Sequence, residues 1–205
     1  MYAPASPFAR KVRAASIELG LDGEIELAFT KVFPGHENAD YAAAVNPLRK
    51  IPALAVDEST VIHDSTVICE YLDARAGGGR IIPGDGAERW RVLTRHALAQ
   101  GMCESAILIR YETWLRPEEV RWQMWIDDQW DKVHAGLDWF EARPETLAGP
   151  VDLAHLGLGC LLGYLDFRFP DVGWRGRCPG LDRWFIALSR RPSFAGTAHE
   201  PPSDA

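Results

Sequence analysis

The chain has 205 residues, 47% of them apolar and 25% charged, with a net charge of −7, enough to bury one large core or two smaller ones. The acidic balance argues against non-specific nucleic-acid or anionic-membrane partners, which need a basic field. No run approaches the about 18 apolar residues of a membrane span, Met1 to Arg13 holds no hydrophobic leader, and the cysteines at 69, 103, 160 and 178 lack CxxC spacing, so the reading is a soluble, cytoplasmic chain without disulfides or structural zinc.

After Met1-Tyr2-Ala3, a short first strand, Pro4, Ser6 and Pro7 precede a helical pattern from Phe8 to Leu21, with Gly20 near its end. A thioredoxin-fold redox protein would carry C-P-x-C between its first strand and first helix. This chain has Ser6-Pro7-Phe8-Ala9 there, which excludes a dithiol mechanism. A hydroxyl at a helix N-terminus either caps the helix or donates to a sulfur brought in by a ligand. A free thiol has a pKa of about 8.5, and donors aimed at it favour the nucleophilic thiolate. Tyr2 is a rival donor, but it falls within the first strand, too early for the helix N-terminus.

Glu24 to Lys31 alternates acidic with apolar residues (Ile25, Leu27, Phe29) and predicts a half-buried second strand. Phe33 to Asp40 reads as a loop, with His36 on its surface, and Tyr41 to Val45 as a short helical piece before the Asn46-Pro47 break. Ala53 to Val56 and Thr60 to His63 are apolar runs separated by Asp57, Glu58 and Ser59, which predicts an antiparallel pair. Asp64 then caps a helix whose Val67, Ile68, Tyr71 and Leu72 recur at helical spacing, and the outward N–H groups at that start suit an anion. A cis Ile51-Pro52 bond would turn the Ile51 N–H and C=O toward a peptide-like ligand.

Lys50-Ile51-Pro52 and Asp64-Ser65, in this order behind a helix-start serine, resemble the [Lys/Gln]-[Val/Ile]-Pro turn and [Glu/Asp]-Ser helix start of the cytosolic glutathione transferases. Ser6 and Arg10 are similar to the S-x-x-x-R pattern of its serine-type theta branch. The resemblance implies an α/β thioredoxin-like N-terminal domain followed by an all-α helical bundle, with glutathione as co-substrate and no metal. It implies that Ser6 stabilises the glutathione thiolate and that Phe8, Lys50, Ile51, Pro52, Asp64 and Ser65 help to bind glutathione. Ile51 would pair with the cysteinyl backbone, Asp64 and Ser65 would hold the γ-glutamyl end, and Lys50 would lie near the glycyl carboxylate. Arg49 stands where the family often has glycine, and Asp64 where it often has glutamate.

Ala76 to Gly86, AGGGRIIPGDG, reads as the domain boundary and lacks the GK[ST] of a phosphate loop. A long helix follows, from Gly86 to Leu115, opened by Asp85 and Glu88 as a capping box. Trp90, Leu93, Ala97, Gly101, Leu108 and Leu115 predict its packed face, with Met102, Ile109, Tyr111 and Trp114 as further apolar surface. The resemblance makes this helix and the next a homodimer interface and the wall of an electrophile pocket. Tyr111 and Trp114 are then pocket candidates, although both also suit plain packing, and Glu104 is a candidate contact to the partner's glutathione.

Pro117 is expected to open a helix running to about Arg143, with Trp122, Trp125, Trp130 and Trp139 in core or dimer packing. Asp127, Asp128, Asp131 and Asp138 cancel the basic residues beside them, against single-strand nucleic-acid stacking. Asp152 opens a central apolar helix from Leu153 to Phe169. The family's S/T-x-x-D cap is here Asp152 and His155, and His155 is not expected to make the carboxylate's backbone contact. Leu181 to Arg190 is a last amphipathic helix, the Arg190 to Thr197 run resembles the ending of one bacterial branch, and Glu200 to Ala205 is expected to be loose.

The expected organisation is residues 1–77 as the glutathione-binding domain, 78–85 as linker and 86–205 as the all-α domain. The expected activity is a glutathione S-transferase attacking small, largely apolar electrophiles, as in detoxification. Two alternatives remain open: a non-catalytic glutathione- or protein-binding module of the same fold, and a glutathione-dependent isomerase.

Overall fold

A computed structural model of the chain describes residues 1–200; the predicted loose end falls almost wholly outside them. The chain forms two compact units, one built from Met1–Trp90 and the stretch from Pro192 onward, the other from Arg91–Arg191. The sequence reading grouped 86–205 together. In the structure the last short helix packs on the first one.

In the first unit, helix α1 spans Pro7–Leu19, capped by Ser6 and ended by Gly20 at φ 75, a left-handed conformation that glycine adopts without steric cost. Helix α2 is Ala39–Ala44, strands β1 and β2 are Leu54–Ala55 and Val61–Ile62, and helix α3 is Ser65–Arg75. The β strands pair antiparallel, Leu54 opposite Ile62. Met1 joins this sheet by exchanging both backbone bonds with Ala53 (2.8 and 3.3 Å). On its other side Tyr2 pairs parallel with the stretch around Phe29, through Tyr2 N–H to the Ala28 carbonyl (2.9 Å) and Thr30 N–H to the Tyr2 carbonyl (2.8 Å). Helices α1 and α3 pack together. The element order and pairing are those of a thioredoxin-like domain.

The predicted strand over Glu24 to Lys31 is reduced to that single bridge. A tight 3-10 turn occupies Asp22–Glu24, and Leu27 and Phe29 are 45% and 54% exposed instead of half-buried. Its partner stops at Pro4, which has no N–H to extend the ladder, and the chain turns there.

The glycine-rich stretch after α3 is a folded loop. The Asp73 carboxylate, 4% exposed, accepts from Gly79, Arg80 and Ile81 N–H at 2.9, 3.0 and 2.9 Å. Arg80 in turn donates to the last carbonyls of α1, Leu19 at 2.7 Å and Glu18 at 3.1 Å.

Helix α4, Gly86–Trp114, matches its predicted length. It runs on into the second unit with α5 (Gln123–Glu141), α6 (Leu153–Arg168), α7 (Trp174–Arg177) and α8 (Pro179–Ser189); α9, Pro192–Ala195, returns to the first unit. The face α4 buries carries Val92, His96, Ala99, Met102, Cys103, Ala106 and Ile109. The stripe expected inside is mostly outside, with Trp90 66%, Leu108 43% and Leu115 37% exposed. The buried stripe mixes small and polar residues with Val92, Met102 and Ile109, so residue size and polarity do not mark it off from the stripe of Trp90 and Leu108. Helix α5 starts later than expected, because Pro117 leads into a 3-10 turn over Glu118–Val120. Trp122 is 58% exposed and so lies outside the core of its own unit. At Gly136 the volume a Cβ would need is filled by the Met102 sulfur, so α4 and α5 pack backbone to side chain there. Almost every residue of α6 is buried, as its composition predicts.

Candidate functional site

The sheet register assembles the site. Met1 pairs antiparallel with Ala53, and Leu54 with Ile62, so the chain after Met1, the chain before Ala53 and the chain after Ile62 all leave the sheet at the same end. Three segments thus share one end of the sheet: the turn leading to Ser6, the Lys50–Pro52 bend and the start of α3.

Ser6 caps α1 by accepting from Ala9 N–H at 3.2 Å. Its own N–H donates to the Ala3 carbonyl (3.0 Å), closing a turn with Pro4 and Ala5 at the corners. Capping uses only the acceptor side of the hydroxyl, and its proton has no acceptor among the described residues. The two roles read for Ser6 are therefore compatible.

The Ile51–Pro52 bond is cis. Ile51 is half-buried, and its N–H and C=O have no hydrogen-bond partner among the described residues. The preceding carbonyl, that of Lys50, is fixed from below by the Tyr41 hydroxyl (2.8 Å) and Asn46 Nδ2 (3.0 Å), while Asn46 Oδ1 accepts from Leu48 N–H (3.0 Å). Asn46 is 3% exposed. Burial pushes the Tyr41 hydroxyl up to about 12, which keeps it a neutral donor. Asn46 and Tyr41 are the positioning residues that sequence reading missed; Asn46-Pro47 was legible only as a break. Lys50 itself is exposed, and Arg49 takes φ 53 beside it.

At the third segment, Asp64 Oδ1 accepts from Thr66 N–H (3.0 Å) and Val67 N–H (3.3 Å). This changes the expected character of the helix start, because those two N–H groups are taken by the cap. The groups that remain open are Asp64 Oδ2, an anionic acceptor, and the Ser65 N–H, a donor. Together they fit the ammonium and carboxylate of an amino-acid head group better than a lone anion. Lys11, 1% exposed, reaches from α1 to within 3.5 Å of Thr66 Oγ1 and holds α1 and α3 together at this end, with half-buried Phe8 one turn away.

The remaining candidates belong to the second unit. Tyr111 is half-buried, its hydroxyl pushed up by burial. Trp114 is 49% exposed, with the Arg110 guanidinium 4.8 Å over its ring. Glu104 is exposed and accepts from Gln100 (3.0 Å). Among the described residues no cluster of three or more His, Cys, Asp or Glu side chains is arranged to hold a metal, and no helix is long and apolar enough to cross a membrane.

Comparison with known proteins bears on these geometries. Residues 5–75 match the glutathione S-transferase N-terminal domain, and residues 123–187 match the glutathione S-transferase C-terminal domain. The GST-like protein YibF of Escherichia coli is 33% identical over 201 residues, spanning 96% of this chain and 95% of that protein. A glutathione transferase family member from Pseudomonas fluorescens Pf-5, solved with bound glutathione, is 41% identical with a TM-score of 0.94, covering 98% of each chain. A glutathione S-transferase from Methylobacillus flagellatus KT, also with glutathione bound, is 33% identical with a TM-score of 0.85, over 97% of this chain and 98% of that one. With both domains matched in order and the open peptide edge at Ile51 between two helix starts, the chain belongs to the glutathione S-transferase family.

Proposed function

We propose that the protein is a glutathione S-transferase in which Ser6 donates a hydrogen bond to the glutathione sulfur and holds it as thiolate for attack on a small, largely apolar electrophile. The observation that carries this reading is the Ser6 hydroxyl, which caps α1 through its oxygen and keeps its proton available. The half-buried peptide edge of Ile51 supports pairing with the cysteinyl unit, and Asp64 Oδ2 with the Ser65 N–H supports capture of the γ-glutamyl head. Lys50 serves the glycyl carboxylate. Relatives 41% and 33% identical are solved with glutathione bound, which supports the same ligand here.

The chemistry asks little of the protein beyond binding and a shifted pKa. At neutral pH a thiol of pKa about 8.5 is a few per cent ionised, so a donor that lowers this value by about one unit raises the thiolate population severalfold. The thiolate forms the carbon–sulfur bond, and the leaving group departs with its electron pair or, in an addition, a proton is taken from water. Tyr111 and Trp114 are proposed as part of the electrophile wall, and Glu104 as a contact to the glutathione of a second subunit in a cytoplasmic homodimer.

The test is calorimetric titration with reduced glutathione on wild type and Ser6→Ala, with the bound thiol's ultraviolet absorbance followed against pH. Wild type is expected to bind, and Ser6→Ala to raise the thiol's apparent pKa by about one unit with little change in affinity. No binding at millimolar glutathione would reject the transferase reading at its base.

A further inference from the structure

The C-terminal stretch runs along α1 from its last turn to the turn that precedes it. Ser193 Oγ donates to Glu18 Oε1 (2.5 Å). Phe194, 1% exposed, has the Arg10 guanidinium 5.3 Å from its ring centroid, and Arg10 Nη2 donates to the Phe194 carbonyl (3.2 Å). Arg13 Nη2 donates to the Gly196 carbonyl (3.2 Å), and Thr197 Oγ1 donates to the Ser193 carbonyl (2.6 Å), closing the segment on itself. His199 then lies with Nδ1 3.3 Å from the Pro4 carbonyl. A carbonyl only accepts, so Nδ1 carries the proton of that bond.

Pro4 is a corner of the Ala3–Ser6 turn, whose closing bond is Ser6 N–H to the Ala3 carbonyl. A hydroxyl that must aim at one sulfur atom depends on the orientation of this turn, and misplacement by a fraction of an ångström weakens a hydrogen bond steeply. Arg10, the second residue of the S-x-x-x-R pattern, is buried and spends its Nη2 on the strap. We infer that the segment Ser193–His199 is a positioning strap for Ser6, with Arg10 and Phe194 as its anchor and His199 as the clamp on the turn. This rests on the reading of Ser6 as thiolate stabiliser. It assigns to the far end of the chain a part in setting the thiol pKa, without contact to glutathione.

Substitution of His199 is the mild test, since the anchor at Phe194 stays in place. His199→Ala is expected to speed amide exchange at Ser6 by about fivefold. The same variant raises the bound thiol's apparent pKa by about half a unit and lowers kcat by about threefold at nearly unchanged glutathione affinity. In His199→Gln, whose side-chain amide can donate to the same carbonyl, all three return toward wild type. Unchanged Ser6 exchange in His199→Ala, or faster exchange with no change in thiol pKa, overturns the strap. Ser6→Ala measured alongside separates the two ideas. If it raises the thiol pKa while His199→Ala does not, the strap fails and the thiolate reading stands. If Ser6→Ala itself leaves the thiol pKa in place, the thiolate reading fails and the strap's contribution falls with it.

Discussion

Asn46 and Tyr41 act on a backbone carbonyl. Both donate to the Lys50 C=O, so the bend that presents Ile51 is set by two side chains from the preceding helix and loop. Asn46→Ala removes one of these two donors and also the acceptor for Leu48 N–H, a loss of two hydrogen bonds that costs about 1–3 kcal/mol. With Ile51 less well placed, glutathione affinity is expected to fall about tenfold, or about 1.4 kcal/mol. Tyr41→Phe keeps the Asn46 bond and costs less, about 1 kcal/mol. Urea denaturation and calorimetry on the two variants check both expectations; an Asn46→Ala protein that binds glutathione like wild type would detach the bend from binding. The identities of Ser6, Ile51, Pro52, Asp64 and Ser65 were legible in the sequence because each has a local signature of cap, turn or strand start. Lys11 and His199 were not, because their partners lie across the fold, and Asn46 and Tyr41 were not, because both act on a backbone carbonyl of an irregular bend that no periodicity marks.

At the scale of elements, the start of α6 corrects the sequence reading. His155 Nδ1 does accept from the Asp152 N–H (3.1 Å) while Asp152 Oδ1 accepts from the His155 N–H (2.9 Å), a reciprocal cap with an imidazole in place of the usual carboxylate. An unprotonated ring nitrogen is as good an acceptor there, and the role depends on that lone pair, not on charge. His155→Ala is expected to lose about 0.5–2 kcal/mol of stability. Burial pushes the Asp152 carboxyl up, while the bond it accepts from the His155 backbone N–H and the Arg95 guanidinium 2.9 Å away pull it down, and the carboxyl lies below the ordinary range. A depressed carboxyl stabilises the fold fully above its unfolded pKa of about 3.9 and loses that contribution as pH falls through the lower folded value. The stability gap between wild type and Asp152→Asn should therefore be widest near neutrality and close toward about pH 2 in urea titrations; a gap independent of pH would remove the ionic part of the account. Helix lengths were readable in the sequence from caps and glycines, as α1 and α4 illustrate. Which face α4 buries was not, because it hides alanine, serine and histidine beside valine, methionine and isoleucine and leaves tryptophan and leucine outside. The alternating pattern of Glu24 to Lys31 likewise needed a partner longer than the stretch before Pro4.

For the whole molecule, the exposed stripe on α4 bears on assembly. Ala97, Gly101, Glu104 and Leu108 recur at three- and four-residue spacing on its open side, small residues beside an exposed leucine that let another helix approach closely. The proposed homodimer places this stripe at its interface. Leu108→Lys is expected to convert a dimer to a monomer in sedimentation and to remove the concentration dependence of Tm; a wild type that sediments as a monomer would reject the dimer. The four cysteines carry a different consequence. Cys69 lies in the first unit, Cys103, Cys160 and Cys178 in the second, none more than 3% exposed, and burial pushes the Cys178 thiol up to about 11. A protein proposed to activate a soluble thiol thus keeps its own sulfur out of mixed-disulfide exchange, which requires an accessible thiolate. The same burial equips the chain with internal clocks: the rate at which a thiol-labelling reagent modifies Cys69 reports opening of the first unit, and modification of the other three reports opening of the second.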